Sequence, residues 1–184
     1  MRGASFALAI GLTAATACAS GGTGVPTGAP SSQSIGIVGP TGTVSMATAG
    51  RNEANVQTLP FTPDAVWRIL PAVFDSLGIP VSTLDPVKRS IGNTGFAARR
   101  RLKNTPLSRF FDCGQTQLGP NADDYDMRLT VISEVHPSEG GTTVTTVVEA
   151  SARPVNYAQE YSNCPSRGAL EQRIIDVLRA RLAK

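Results

Sequence analysis

Few residues in this 184-residue chain have side chains that could carry chemistry: three cysteines, a single histidine and one bunch of carboxylates. A nucleophile of the Ser–His–Asp type would have to use His136, in "SEVHPSEGG", at the mouth of a hairpin turn where a histidine is ordinarily polar surface. No G-x-S-x-G elbow accompanies it. Cys113 and Cys164 with that histidine make a poor metal set, and no C-x-x-C spacing exists. "NADDYD", Asn121 to Asp126, gathers three carboxylates and an amide that calcium would accept, but it departs from the EF-hand spacing and lacks its Gly and distal Glu. Asp112, Asp123 and Asp124 would serve a small hydrolase or lipid-handling enzyme only if they converged in a concave pocket; otherwise they are solvated charge. "GTGVPTG" and "GPTGTVS" lack the Lys and the strand-to-helix setting of a P-loop. The sequence therefore assigns no catalytic residue, no metal and no cofactor.

Cys18 belongs to a different chemistry. Met1-Arg2 is a short basic start, and Ala4 to Leu12 is an apolar run too short for a permanent span, which needs about 20 residues. Residues 1–17 thus read as a secretory signal peptide. Ala15-Thr16-Ala17 suits ordinary signal peptidase, which would leave Cys18 as an odd free thiol in an oxidising compartment. With Cys18, the same residues resemble a bacterial lipobox, Ala15 standing where Leu is usual. That resemblance implies a diacylglyceryl thioether at Cys18, and at about 0.8 kcal/mol per buried methylene two or three acyl chains anchor a protein without a transmembrane helix. Ala19 and Ser20 follow, with no Asp after the cysteine, which by likeness to enterobacterial lipoproteins implies export to the outer membrane, the domain facing the periplasm or the cell surface.

From Gly3 to Gly50 there is no Asp, Glu, Lys or Arg. Residues 18–40, rich in Gly, Ser, Thr and Pro, read as a tether unable to bury enough apolar surface to offset its ordering entropy. Its first 15 or so residues would span about 20 Å as a coil. Residues 41–184 remain for one α+β domain. The formal net charge of +3 is compatible with an anionic partner without demanding one. "ARRRLK", Ala98 to Lys103, is the densest charge run; on a straight strand Arg99 and Arg101 share one face and Arg100 takes the other. Nucleic acid is not an expected partner outside the cytoplasm.

Elements that could position these groups follow from the periodicity. Thr62 is a good N-cap, Pro63 suits the first helical position, and Val66, Trp67, Leu70, Val73, Phe74 and Leu77 form a stripe that Gly78 ends. Pro71 inside the run predicts a kink or a split, and Trp67 a core anchor. "IPVSTL" and "IGNTGFAARRRL" read as strands, the second with glycine breaks. "DMRLTVISEV" alternates, with Met127, Leu129, Val131 and Val135 on one face, and "PSEGG" turns it into "TTVTTVVEASA". Upstream, "TVSMATA" and "ANVQTLP" predict another hairpin around "GRNE". In the last helix, Leu170, Ile174, Val177, Leu178 and Leu182 face the core, while Glu171, Arg173, Asp176, Arg179 and Arg181 face water. The economical assembly is a curved antiparallel sheet of about four to six strands on a long C-terminal helix, with a Pro-kinked first helix.

Lipobox, tether and the order strand–helix–strands–helix from about Asn55 to Lys184 resemble the helix-grip domains of BamC (NlpB), a lipoprotein of the outer-membrane assembly machine. BamC carries two such domains and this chain has room for one. The resemblance implies a non-enzymatic role: binding an envelope protein or an apolar ligand in outer-membrane assembly or maintenance. Cys113 and Cys164, beside turn formers in an oxidising compartment, are expected to pair, closing a loop of about 50 residues and stabilising by about 4 kcal/mol in the chain-entropy model. Pairing would draw the long connector "NTPLSRFFDCGQTQLGPNADD" against "RPVNYAQEYSNC". Arg109, Phe110, Phe111, Asp112, Tyr157 and Tyr161 then lie near one another, either as a satellite core under two loops or as a binding surface.

Overall fold

Alternation of apolar and polar residues sets the centre of the sheet. The computed structural model describes residues 33–39, 42–48, 54–156 and 158–184. Strands β10 (Asp126–Ser138) and β11 (Gly141–Arg153) pair antiparallel from Asp126↔Arg153 to Ser138↔Gly141, with Glu139-Gly140 as the two-residue turn. Gly140 has φ 82°, a conformation that L side chains rarely adopt. On the inner face Met127, Leu129, Val131 and Val135 meet Ala152, Ala150, Val148 and Val144, all buried. The one polar step in this row, Ser133 opposite Thr146, is buried too, and the two hydroxyls satisfy each other at 2.9 Å.

Strand β5 (Ser90–Arg99) lies along the other side of β10. Its register slips between Leu129 and Val131, so that Thr94 and Gly95 stand against the single Thr130, one extra residue in β5. The bulge's polar groups are satisfied: Gly95 N–H donates to Asn93 Oδ1, Asn93 Nδ2 to the Pro80 carbonyl and Thr130 Oγ1 to the Thr94 carbonyl. Short strands complete the sheet: β4 (Thr83–Asp85) on β5, then β6 (Arg101–Leu102) and β7 (Thr105–Pro106) beyond it. β3 (Asn55–Leu59) and β12 (Ser162–Cys164) both pair with β11. Among the described residues the antiparallel sheet is open and has eight strands. β7 and β12, two and three residues long, are too short to register as sequence periodicity, and β6 reads in the sequence as the end of β5, which is why four to six were expected.

The upstream hairpin is not formed as expected. β2 (Gly42–Thr48) pairs with β1 (Gln33–Gly39), a strand that begins inside the stretch read as tether, while β3 pairs with Thr142–Thr146 of β11. Leu59 explains the choice for β3, because opposite Thr142 its side chain enters the core and is fully buried. The "IPVSTL" strand also starts late. Ile79 N–H closes the preceding helix on the Phe74 carbonyl, and Pro80 has no donor to give a ladder.

Helix α1 (Pro63–Leu77) starts where Thr62 Oγ1 accepts from Ala65 N–H and ends at Gly78, φ 75°. Pro71 does not split it, since Val66, Leu70, Val73, Phe74 and Leu77 on its buried face hold both halves against the sheet. Trp67 flanks this stripe and is only partly buried. Helix α3 (Ala169–Leu182) buries Leu170, Ile174, Ile175 and Leu178, with Val177 partly covered. It packs against α1, β11 and β3, while α1 also covers β5, β10 and β11, so the two helices share one face of the sheet. Glu171 departs from its expected solvent face and is buried. Ser166, just before the helix, accepts from Gly168 N–H and turns its own hydroxyl inward to Glu171. Among the described residues no helix is long and apolar enough to cross a membrane.

Candidate binding cleft between the stapled loops

Cys113 and Cys164 form a disulfide with Cα atoms 4.7 Å apart and a sequence separation of 51. It ties the connector after β7 to β12 at the sheet edge. The connector enters through a single 3-10 turn (Leu107–Arg109) whose Leu107 is buried, and Phe110 and Phe111 follow it into the core. Their rings meet edge to face with centroids 6.3 Å apart. Backbone bonds then lock the connector to the segment after β12: Arg167 N–H donates to the Phe110 carbonyl and Asp112 N–H to the Pro165 carbonyl. The Asp112 carboxylate accepts from Gly114 N–H and pairs with Arg167 at 3.1 Å.

The expected aromatic cluster is therefore divided. Phe110 and Phe111 lie beneath the loops, Arg109 is exposed, and Tyr157 lies outside the described residues. Tyr161 goes to the far side of the sheet, between the guanidinium carbons of Arg128 and Arg153 at 4.7 and 4.8 Å from its ring centre. The strand register accounts for this, because Cys164 and Ser162 align with the inward-facing Ala150 and Ala152 and an odd-numbered step points outward. The three carboxylates are also dispersed in their bonding. Asp123 accepts from both the N–H and the hydroxyl of Ser108, Asp112 holds Arg167, and Asp124 is exposed. His136 is exposed on β10, 3.3 Å from Glu134. Among the described residues no three His, Cys, Asp or Glu side chains stand together as a metal set.

What the staple does build is a cleft. Strands β8 (Gln115–Thr116) and β9 (Gly119–Pro120) make a small hairpin with Gln117 and Leu118 at its tip, where Leu118 N–H donates to Thr116 Oγ1. Its base is pinned beside the disulfide: Asn121 N–H donates to the Gly114 carbonyl and Asn121 Nδ2 to the Cys113 carbonyl. One turn of helix, α2 (Asn121–Asp124), anchored by buried Ala122, then delivers Asp124 and Tyr125 to the cleft wall. The loop after β11, carrying Pro154, Val155, Asn156 and Gln159, supplies most of the rest of the lining. The space between is about 850 Å³, and Arg99 also borders it. Leu118 is 93 % exposed and Val155 41 %, so both loops present an apolar side chain to water. Amide, carboxylate and guanidinium groups surround them, a lining that grips an apolar group and pairs with polar atoms beside it.

Leu118, Tyr125 and Val155 do not stand out in the sequence as site residues. The available signal was an apolar residue isolated among turn formers, in "QTQLGP" and "RPVNY", where nothing local calls for one. No known protein-family model matches this chain, and neither does any curated protein.

Proposed function

We propose that this is a non-enzymatic envelope lipoprotein, anchored to the outer membrane through a diacylglyceryl group on Cys18, whose domain binds a protein segment or an apolar ligand in outer-membrane assembly or maintenance. The observation that carries the binding role is the exposure of Leu118 and Val155 in the lining of one cleft, Leu118 on a hairpin whose base is pinned beside the disulfide. Apolar surface left in water forgoes about 25 cal/mol per Å², and a rigid frame lets a ligand recover that on binding without paying again to order the loops. The sequence likeness to BamC helix-grip domains and the antiparallel sheet with its C-terminal helix support the envelope setting. Engagement of Asp112 and Asp123 in structural bonds favours binding over hydrolysis.

The test is cross-linking in intact envelopes with wild type and with Leu118→Asp/Val155→Asp. Both positions are exposed, so circular dichroism and the disulfide should be unchanged while a specific cross-linked product falls at least tenfold, the effect of about 1.4 kcal/mol. A product that survives the double substitution undiminished would place the working surface elsewhere.

A further inference from the structure

The run "ARRRLK" divides its charges between two faces only if the strand stays straight. It does not. Arg100 takes φ 62°, which ends β5 at Arg99, and Arg101 folds back to pair directly with Arg99 as the start of β6. A second turn at Lys103, φ 53°, returns the chain into β7. Left-handed backbone is uncommon for residues other than glycine, and two such turns within four residues reshape the run. Their result is that Arg99, Arg101 and Lys103 all border one open depression of about 520 Å³ beside the C-terminal end of α1, with Phe96 and Leu102 among its lining. Arg100 is exposed at the turn between them.

Little of this charge is neutralised. Arg101 Nη1 donates to the Asn104 carbonyl at 3.1 Å and Lys103 Nζ to the Asp75 carbonyl at 3.2 Å, both neutral acceptors. Asp126 lies 3.7 Å from Arg99, and among the described residues Asp75 is the one acid bordering the depression. Four cations thus face two carboxylates on a shallow, solvent-open edge. We infer that this double turn is a docking face for the phosphate groups of an anionic bilayer, seating the domain on the membrane surface. The cations are spread over two successive turns and exposed, which matches an array of headgroups better than one enclosed anion. Guanidinium and ammonium groups carry only donors, and one bond to a neutral carbonyl leaves Arg101 and Lys103 further N–H groups for phosphate. The setting rests on the proposed lipid anchor, but the contact is separate from it and is read separately.

The experiment uses the full acylated chain reconstituted with phosphatidylcholine vesicles, with and without phosphatidylglycerol, and Trp67, the chain's single tryptophan, as donor to a dansyl group on the lipid headgroups. Energy transfer should rise when phosphatidylglycerol is present, and high salt should reverse the rise. Arg100→Gln/Arg101→Gln should lower the docked-to-undocked ratio about fivefold per charge, while Arg100→Lys/Arg101→Lys retains it. The inference is overturned by equal transfer on neutral and anionic vesicles, by unchanged transfer in the Gln variant, or by loss of docking in the charge-conserving Lys variant with an unchanged circular dichroism spectrum. Displacement by inorganic phosphate at constant ionic strength overturns it too, since that marks a soluble-anion pocket. Flotation with neutral vesicles reports the anchor alone. If it fails, the anchor reading falls, and flotation with anionic vesicles still reads the basic face.

Discussion

Glu171 shows how one side chain can work against its surroundings. It sits in the first turn of α3, where the helix dipole suits a carboxylate, yet it is only 3 % exposed. Ser166 Oγ donates to Oε1 at 2.7 Å, and Oε2 is buried with no hydrogen bond among the described residues. Burial raises its pKa above the ordinary carboxyl value of 4.5, against smaller lowering effects from hydrogen bonds to the backbone and to Ser166. The folded state therefore holds this proton more tightly than the unfolded state. Stability from this group is fully present below about pH 4.5 and is lost as pH rises through the folded value. Glu171→Gln keeps an acceptor for Ser166 and removes the charge. It should be at least as stable as wild type at pH 8, with the advantage shrinking as the pH falls towards 4, as thermal unfolding at several pH values will read. A variant that loses stability equally at every pH would show that the ionised form is not the costly one.

At the scale of elements, legibility followed how local the cause was. The β10–β11 hairpin and α1 could be read because period-two alternation and helix caps lie within a few residues of what they determine. The partner of β3 could not, because "ANVQTLP" specifies a strand and leaves its neighbour to the free edge of β11. Leu118 and Val155 were missed for the same kind of reason: exposure is decided by how two distant loops meet. Glycines in β5 were legible as breaks, and the structure now separates their roles. A Cβ on Gly92 would fall 2.2 Å from the Val131 carbonyl oxygen and 2.8 Å from Ile132 Cα, whereas one on Gly95 meets nothing within 4 Å. Gly92→Ala should destabilise by about 1–3 kcal/mol as β5 is pushed off β10. Gly95→Ala should stay within about 0.5 kcal/mol of wild type, as expected for an exposed position without strain. Denaturant melts of the pair test this, and equal losses would mean that the close approach at Gly92 is relieved by a shift of the strand.

For the molecule as a whole, the anchor and the fold are separable. Residues 1–32 lie outside the described structure, so the lipid anchor is read from the sequence: the signal-like residues 1–17 and Ala15-Thr16-Ala17-Cys18. Cys18→Ala should move the protein out of the detergent phase of a phase split, or leave it with an uncleaved signal. Wild type found in the aqueous phase with an unmodified N-terminal cysteine would end that reading. The fold carries a separate implication in the pairing of β11, which takes β10 on one side and, on the other, both β3 from before α1 and β12 from just before the final helix. A ribosome delivers these pieces in order. β3 and the apolar stripe of α1 are made long before β11 exists to receive them, and Cys113 waits until β12 brings Cys164. For most of its synthesis the chain is an uncovered stripe and an unpaired strand, and such non-local closures are slow. The last quarter of the polypeptide, from β11 onward, decides whether the rest has anything to fold against, so this domain is built to be completed late and depends on being kept from aggregation until then.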